Sequence, residues 1–146
     1  MLALWGSGVT MAGPLSTDLS VEDRSHATIG YLRASGMVEA AGHVTIGYLR
    51  ADGMVEDRGH GTVGYYRGSG MIEDRGHGAV GYFQVRGGTT VLEDRGHSIM
   101  GYLDHTGIIE NRHHGIVGYV RGPVEGHQGP IAAYLFLLQP ELLSVP

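Results

Sequence analysis

The feature that most constrains this chain is that it repeats itself. Val55 to Met71 reads VEDRGHGTVGYYRGSGM; seventeen residues later comes IEDRGHGAVGYF, and seventeen earlier VEAAGHVTIGYLRADGM. Six copies start at Val21, Val38, Val55, Ile72, Leu92 and Ile109, and a degenerate seventh starts at Val124. Their tyrosines are Tyr31, Tyr48, Tyr65, Tyr82, Tyr102, Tyr119 and Tyr134, spaced 17, 17, 17, 20, 17 and 15 apart. A short fixed period means that each unit is one supersecondary piece, burying its apolar face against its neighbours.

Each unit reads as two short strands. In the third copy these are Met54-Val55-Glu56-Asp57 and Thr62-Val63-Gly64-Tyr65-Tyr66-Arg67, rich in β-branched and aromatic residues and bounded by glycine. No window of about 11 residues in the repeats lacks glycine, and each interior Gly costs a helix about 1 kcal/mol against Ala. The connections Ala34-Ser35-Gly36, Ala51-Asp52-Gly53, Gly68-Ser69-Gly70 and His105-Thr106-Gly107 all end in Gly. That fits a type I turn closed by a left-handed residue. In the fourth copy Gln84 to Thr90 lengthens this connection around Gly87-Gly88. In the other turn, Asp57 and its counterparts Asp23, Asp74, Asp94 and Asn111 suit an Asx turn, with Ala40 the exception. A five-residue first loop would place Val55, Val63 and Tyr65 on one face, and Met54, Glu56, Gly64 and Tyr66 on the other. A one-residue change in that loop repartners the strands. Gly30, Gly47, Gly64, Gly81, Gly101 and Gly118 fall mid-strand, implying a bend or a close approach, here expected from the adjacent hairpin's aromatic ring.

The fold class is therefore all-β: tandem 17-residue hairpins arranged as a shallow barrel or flower, with a β-solenoid as the alternative. About thirteen strands exceed what an open twisted sheet holds without curling, and the repeated mid-strand glycine offers the bend. Helix is expected at most near the tail. Residues 1–20 read as an irregular leader or decayed repeat (Leu4-Trp5-Gly6-Ser7-Gly8-Val9 resembles a later turn), 21–136 as the hairpin domain, and 137–146 as an apolar cap or tail. A signal peptide is disfavoured because no basic n-region precedes the apolar residues, and glycines interrupt them.

The pattern aliphatic–Glu–Asp–Arg–Gly–His–x–x–Val–Gly–Tyr, running from Val21 to Phe136, resembles the hairpin repeat of bacterial β-flower proteins, including the four-fold β-flower domains. Those units read aliphatic–x–Asp–x–x–Gly–x–x–Val–Gly–Tyr with a short glycine turn. This chain departs by carrying His in every full copy and by having more copies than a four-fold domain needs. The resemblance implies a small β-rich module without an established enzymatic activity.

Function is less legible. Net charge is −5 and all ten basic residues are Arg, scattered rather than clustered, so no nucleic-acid partner is expected. With no Cys there is neither a disulfide framework nor a thiolate metal site, and the compartment stays open. No stretch reaches the roughly 20 apolar residues of a spanning helix. His26, His43, His60, His77, His97 and His114 share one repeat position, and imidazole is a common zinc ligand. Yet units two strands apart sit about 9–10 Å from one another, too far for neighbouring imidazoles to share an ion. Tyr31, Tyr48, Tyr65, Tyr82, Tyr102 and Tyr119 read first as a packing ladder, and second as an aromatic ring that could face a ligand around a shallow mouth. Glu22, Glu39, Glu56, Glu73, Glu93 and Glu110 form a third series, with Arg33, Arg50, Arg67 and Arg121 near enough to offset their repulsion. Near-identical units give near-identical environments, whereas acid–base catalysis needs unlike ones, and no catalytic motif is present. The expectation is a non-enzymatic repeat scaffold or binding module of unknown ligand, with metal binding by the turn histidines, as Zn, the alternative. The leucine-rich run after Tyr134 reads as a cap, or else as a self-association or membrane-contact patch.

Overall fold

The computed structural model describes residues 14–146, so the leader's resemblance to a decayed repeat lies outside the described residues. Among the described residues twelve strands form one closed antiparallel barrel in sequence order: β1 (Leu19–Asp23), β2 (Thr28–Leu32), β3 (Met37–Ala40), β4 (Thr45–Leu49), β5 (Met54–Asp57), β6 (Thr62–Tyr66), β7 (Met71–Asp74), β8 (Ala79–Arg86), β9 (Thr89–Asp94), β10 (Ile99–Asp104), β11 (Ile108–Asn111) and β12 (Ile116–Arg121). The ring closes where β1 pairs with β12, Glu22 opposite Tyr119. No edge strand is left to template aggregation. The hairpin reading thus holds and the solenoid does not, because every neighbour is antiparallel.

Local chemistry sets the turns. Asp57 N–H donates to the Gly61 carbonyl at 2.8 Å and His60 N–H to the Asp57 carbonyl at 3.0 Å, so the loop holds three residues, not five. Asp57 Oδ1 accepts from the N–H groups of Gly59 and Gly61, both at 2.9 Å, which is the expected Asx arrangement. The register then shifts once per hairpin: Glu56 faces Thr62, but Val55 faces Gly64, which leaves Val63 as the extra residue of a bulge. Tyr65 therefore lies beside Met54 on the outer face, and Val55 beside Gly64 on the inner one. The five-residue loop would have reversed that assignment.

The inner face is a ring of fully buried aliphatics, among them Val21, Val38, Val55, Ile72, Leu92 and Ile109. Twelve strands enclose more space than such side chains fill, and barrels of about eleven strands already admit a helix. The space is filled by the segment after β12. Helix α1 (Gln128–Ala133) packs on β6 and β8, a wide π turn follows at Tyr134–Leu138, and a 3-10 turn (Pro140–Ser144) packs on β10, β11 and β12. Ile131, Ala132, Ala133, Tyr134 and Leu135 are completely buried.

This plug explains the mid-strand glycines. Gly30 faces the Tyr134 hydroxyl, Gly47 faces Leu138, Gly64 Leu137, Gly81 Phe136, Gly101 Leu143 and Gly118 Leu142. A Cβ at position 64 would stand 2.8 Å from a Leu137 methyl and would also meet the Glu73 carbonyl oxygen. The close approach is present, but it comes from the plug and from the backbone carbonyl of the neighbouring strand, not from an aromatic ring of the adjacent hairpin. One further expectation is corrected here. The degenerate seventh copy is no hairpin: strands end at Arg121, and Tyr134 sits in the plug. Within the leucine-rich run, Leu135, Leu142 and Leu143 are buried in the barrel, while Phe136, Leu137 and Leu138 are half-buried.

Candidate functional site

The outer face carries the repeat's chemistry. All six turn histidines have left-handed backbone, with φ between 66° and 72°. The other turns put Gly36, Gly53, Gly70 and Gly107 at the matching place. A non-glycine residue in this region stores about 1–3 kcal/mol of strain, so something local must offset it. Two contacts do. His60 Nδ1 lies 2.9 Å from Glu56 Oε1, and the equivalent distances at the other five units run from 2.8 to 3.0 Å. Each imidazole also stacks on the tyrosine of the preceding hairpin: His43 on Tyr31, His60 on Tyr48, His77 on Tyr65, His97 on Tyr82 and His114 on Tyr102. Ring closure supplies the sixth pair, His26 on Tyr119. Centroids are 4.2–4.5 Å apart and planes 12–19° from parallel.

Each unit thus straddles two hairpins. Tyr48 faces Glu56 directly across β4 and β5. From beside Tyr48, Arg50 donates to Glu56 Oε1 through Nε at 3.1 Å and Nη2 at 2.8 Å, its guanidinium 5.6 Å from the tyrosine centroid. Arg33 and Arg67 serve Glu39 and Glu73 in the same way, whereas Arg121 reaches Glu22 through Nε alone, at 3.1 Å from Oε2. These contacts hold four carboxyls below the ordinary glutamate range. For Glu39, Glu56 and Glu73 the imidazole hydrogen bond is the largest cause and the arginine also contributes; for Glu22 the hydrogen bond from Arg121 comes first. A carboxylate only accepts, so the glutamate contact calls for the proton on Nδ1, although in four units an arginine Nη2 also lies 3.1–3.3 Å from that nitrogen.

The candidate metal ligands stand on six separate hairpins, and each is engaged by its own glutamate and a neighbouring tyrosine. Among the described residues no three His, Asp or Glu side chains come together as an ion site. The six tyrosines do not surround a mouth. They lie half-buried on the barrel's outer wall, one face covered by an imidazole.

Several residues escaped the sequence reading. His127 is buried; its Nδ1 meets the Pro123 carbonyl at 2.7 Å while Nε2 takes the Ser16 N–H at 3.0 Å, tying the entry segment to the plug. Asn111 stands where four of the other copies have Asp. Its Oδ1 still caps the turn, and its Nδ2 donates to the Val145 carbonyl at 3.1 Å, which no carboxylate could do. Arg24 donates to the Pro146 carbonyl. Beside this latched tail opens a cleft of about 460 Å³, lined by Asp94, Met100, Arg112 and His113 among others. The Tyr134 hydroxyl is buried with no hydrogen-bond partner among the described residues, and burial raises its pKa. Burial first, then Asp52, pushes the Tyr66 phenol up to about 12. One signal for the plug was available: an apolar run outside the period, beside a row of inward mid-strand glycines that leaves room along the lumen wall.

Among the described residues no helix is long and apolar enough to cross a membrane. No curated protein and no solved structure matches the chain. A family model described as 5-fold beta-flower protein matches residues 18–138. The description is five-fold, whereas six hairpins close the ring here. The matched residues carry every strand described above, α1 and the π turn, and the chain belongs to this family of beta-flower proteins.

Proposed function

We propose that the chain is a non-catalytic scaffold whose outer girdle is a binding surface, the plugged barrel serving as its rigid mount. The observation that carries this is the ring of six His–Tyr–Glu units, near-identical in geometry and spaced around the wall. Repetition of like elements suits multivalent contact, whereas catalysis needs unlike groups converging on one reacting atom. The interior is taken up by the chain's own plug, which leaves the outside for partners. Titration with panels of short peptides and oligosaccharides, followed by NMR, tests the idea. Tyrosine and histidine ring signals should move while the Ile131 and Leu135 methyls stay still. Shifts confined to the lumen, or turnover of an added compound, would overturn it.

A second reading, zinc uptake, has one observation behind it. The carboxylate on Nδ1 leaves the Nε2 lone pair free, the orientation that outer-shell carboxylates impose on metal-bound histidine. A calorimetric zinc titration at two pH values decides. Saturable binding, weaker at the lower pH and abolished in a His60→Ala, His77→Ala variant, would favour it over the scaffold reading.

A further inference from the structure

Four of the six girdle units are filled by an arginine, and two are not. Where β6 is followed by Arg67, β8 continues into Gln84, whose carboxamide oxygen accepts from Arg86 Nε and Nη2 at 3.1 and 2.8 Å. In β10 the position is Asp104, whose carboxylate accepts from the N–H groups of Thr106 and Ile108, both at 2.9 Å. The rest of that last unit is unchanged. His114 stacks on Tyr102 at 4.3 Å and 12°, and its Nδ1 lies 2.8 Å from Glu110. The Glu110 side chain is 28% exposed, against 11% for Glu56 and Glu73 beneath their arginines. Directly across from Glu110 stands Ile116, itself 40% exposed, where the arginine-filled units have Thr or Ala.

We infer that the Tyr102–Glu110–His114 unit is an open seat for a guanidinium, filled in the assembled state by an arginine side chain of a partner protein. The chain carries four copies of the occupied form. In each, a guanidinium lies 4.9–5.8 Å from the tyrosine centroid and is bonded to the glutamate. At the open unit the tyrosine face and the carboxylate keep that arrangement, and Asp104 replaces a positive charge by a negative one. Tyr102 and Ile116 wall the carboxylate with apolar surface, which strengthens a charge-assisted hydrogen bond to it. A planar cation with two donors suits the seat better than an ammonium, because Nε and Nη2 both reach one carboxylate in three of the four filled units. The Tyr82–Glu93–His97 unit is less open: Glu93 is 9% exposed, and Arg86 already sits nearby on Gln84. This inference rests on the girdle being the binding surface.

The test titrates the full chain with the peptide acetyl-Gly-Arg-Gly-amide, the same peptide with citrulline for arginine, and free arginine, following ring signals by NMR. The arginine peptide should shift Tyr102 and His114 saturably and leave Tyr48 and His60 unmoved, and the neutral citrulline peptide should do neither. Asp104→Arg, which restores the repeat's own residue, should weaken binding at least tenfold. Arg67→Asp, which copies the residue of the open unit, should open a second seat at Tyr65–Glu73–His77. Equal shifts at all units, equal response to citrulline, or no effect of Asp104→Arg would overturn the seat. Free arginine binding as tightly as the peptide, or self-association through a second copy's arginine, would overturn the partner protein. Girdle binding by a different ligand class would spare the scaffold reading and remove this one.

Discussion

The six histidines carry a strained backbone and recover the cost through their rings. At His60, φ is 69°, a region that a β-branched residue resists most strongly. His60→Val should therefore lower unfolding free energy by about 1–3 kcal/mol, while His60→Gly, which exchanges strain for the lost stack, should stay within about 1 kcal/mol of the parent. Urea denaturation of both variants measures the difference; equal losses would mean that the backbone is not the controlling term. The glutamates below these rings make stability depend on acid. Glu22, Glu39, Glu56 and Glu73 have folded-state pKa values lowered from 4.5, so folding favours their ionised form. That contribution is complete above the ordinary value and is lost as pH falls through the lowered one. The urea midpoint should drop below about pH 4.5, and drop less in a Glu56→Gln, Glu73→Gln variant. The histidine position was legible from its recurrence. Its conformation was not, because glycine is the ordinary left-handed residue, and His fills that role here with Tyr and Glu beside it.

Among the elements, hairpin and plug depend on each other through the glycine row. Gly64→Val should cost about 1–3 kcal/mol, since a side chain there meets Leu137 and the Glu73 carbonyl, whereas Gly68→Val should change little because nothing lies within 4 Å of it. Thermal unfolding of the pair checks this, and similar melting temperatures would contradict close packing. The two-strand unit, its glycine turns and the Asx caps could be read from the chain because each is local chemistry repeated six times. Strand register could not. It turns on the extra residue Val63, a valine no different in type from those that pair regularly. The tail was misread for a related reason. Tyr134 falls near the next beat of the period, which makes a lumen residue look like the mark of a seventh hairpin.

At the scale of the whole molecule, ring closure and filling are one problem. Without the segment after β12, the buried aliphatics would line a space open to water at a contact surface of several strands. A chain ending at Arg121 should lose cooperative unfolding and bind a hydrophobic dye; a sharp transition at the parent temperature would show that the hairpins close unaided. Number of copies told the ring's size within one unit, but no periodicity argument reaches a filling that is itself aperiodic. The order of parts along the chain also has a bearing on biosynthesis. Synthesis proceeds at about 5–20 residues per second, and earlier parts leave the ribosome first. All twelve strands therefore emerge before the segment they must enclose, and β1 waits for β12 across nearly the whole repeat. A ring that sealed itself early would shut the plug outside. Keeping the nascent hairpins loosely associated until α1 arrives is thus a kinetic requirement on this sequence, and a glycine in mid-strand, which weakens a strand on its own, works in that direction.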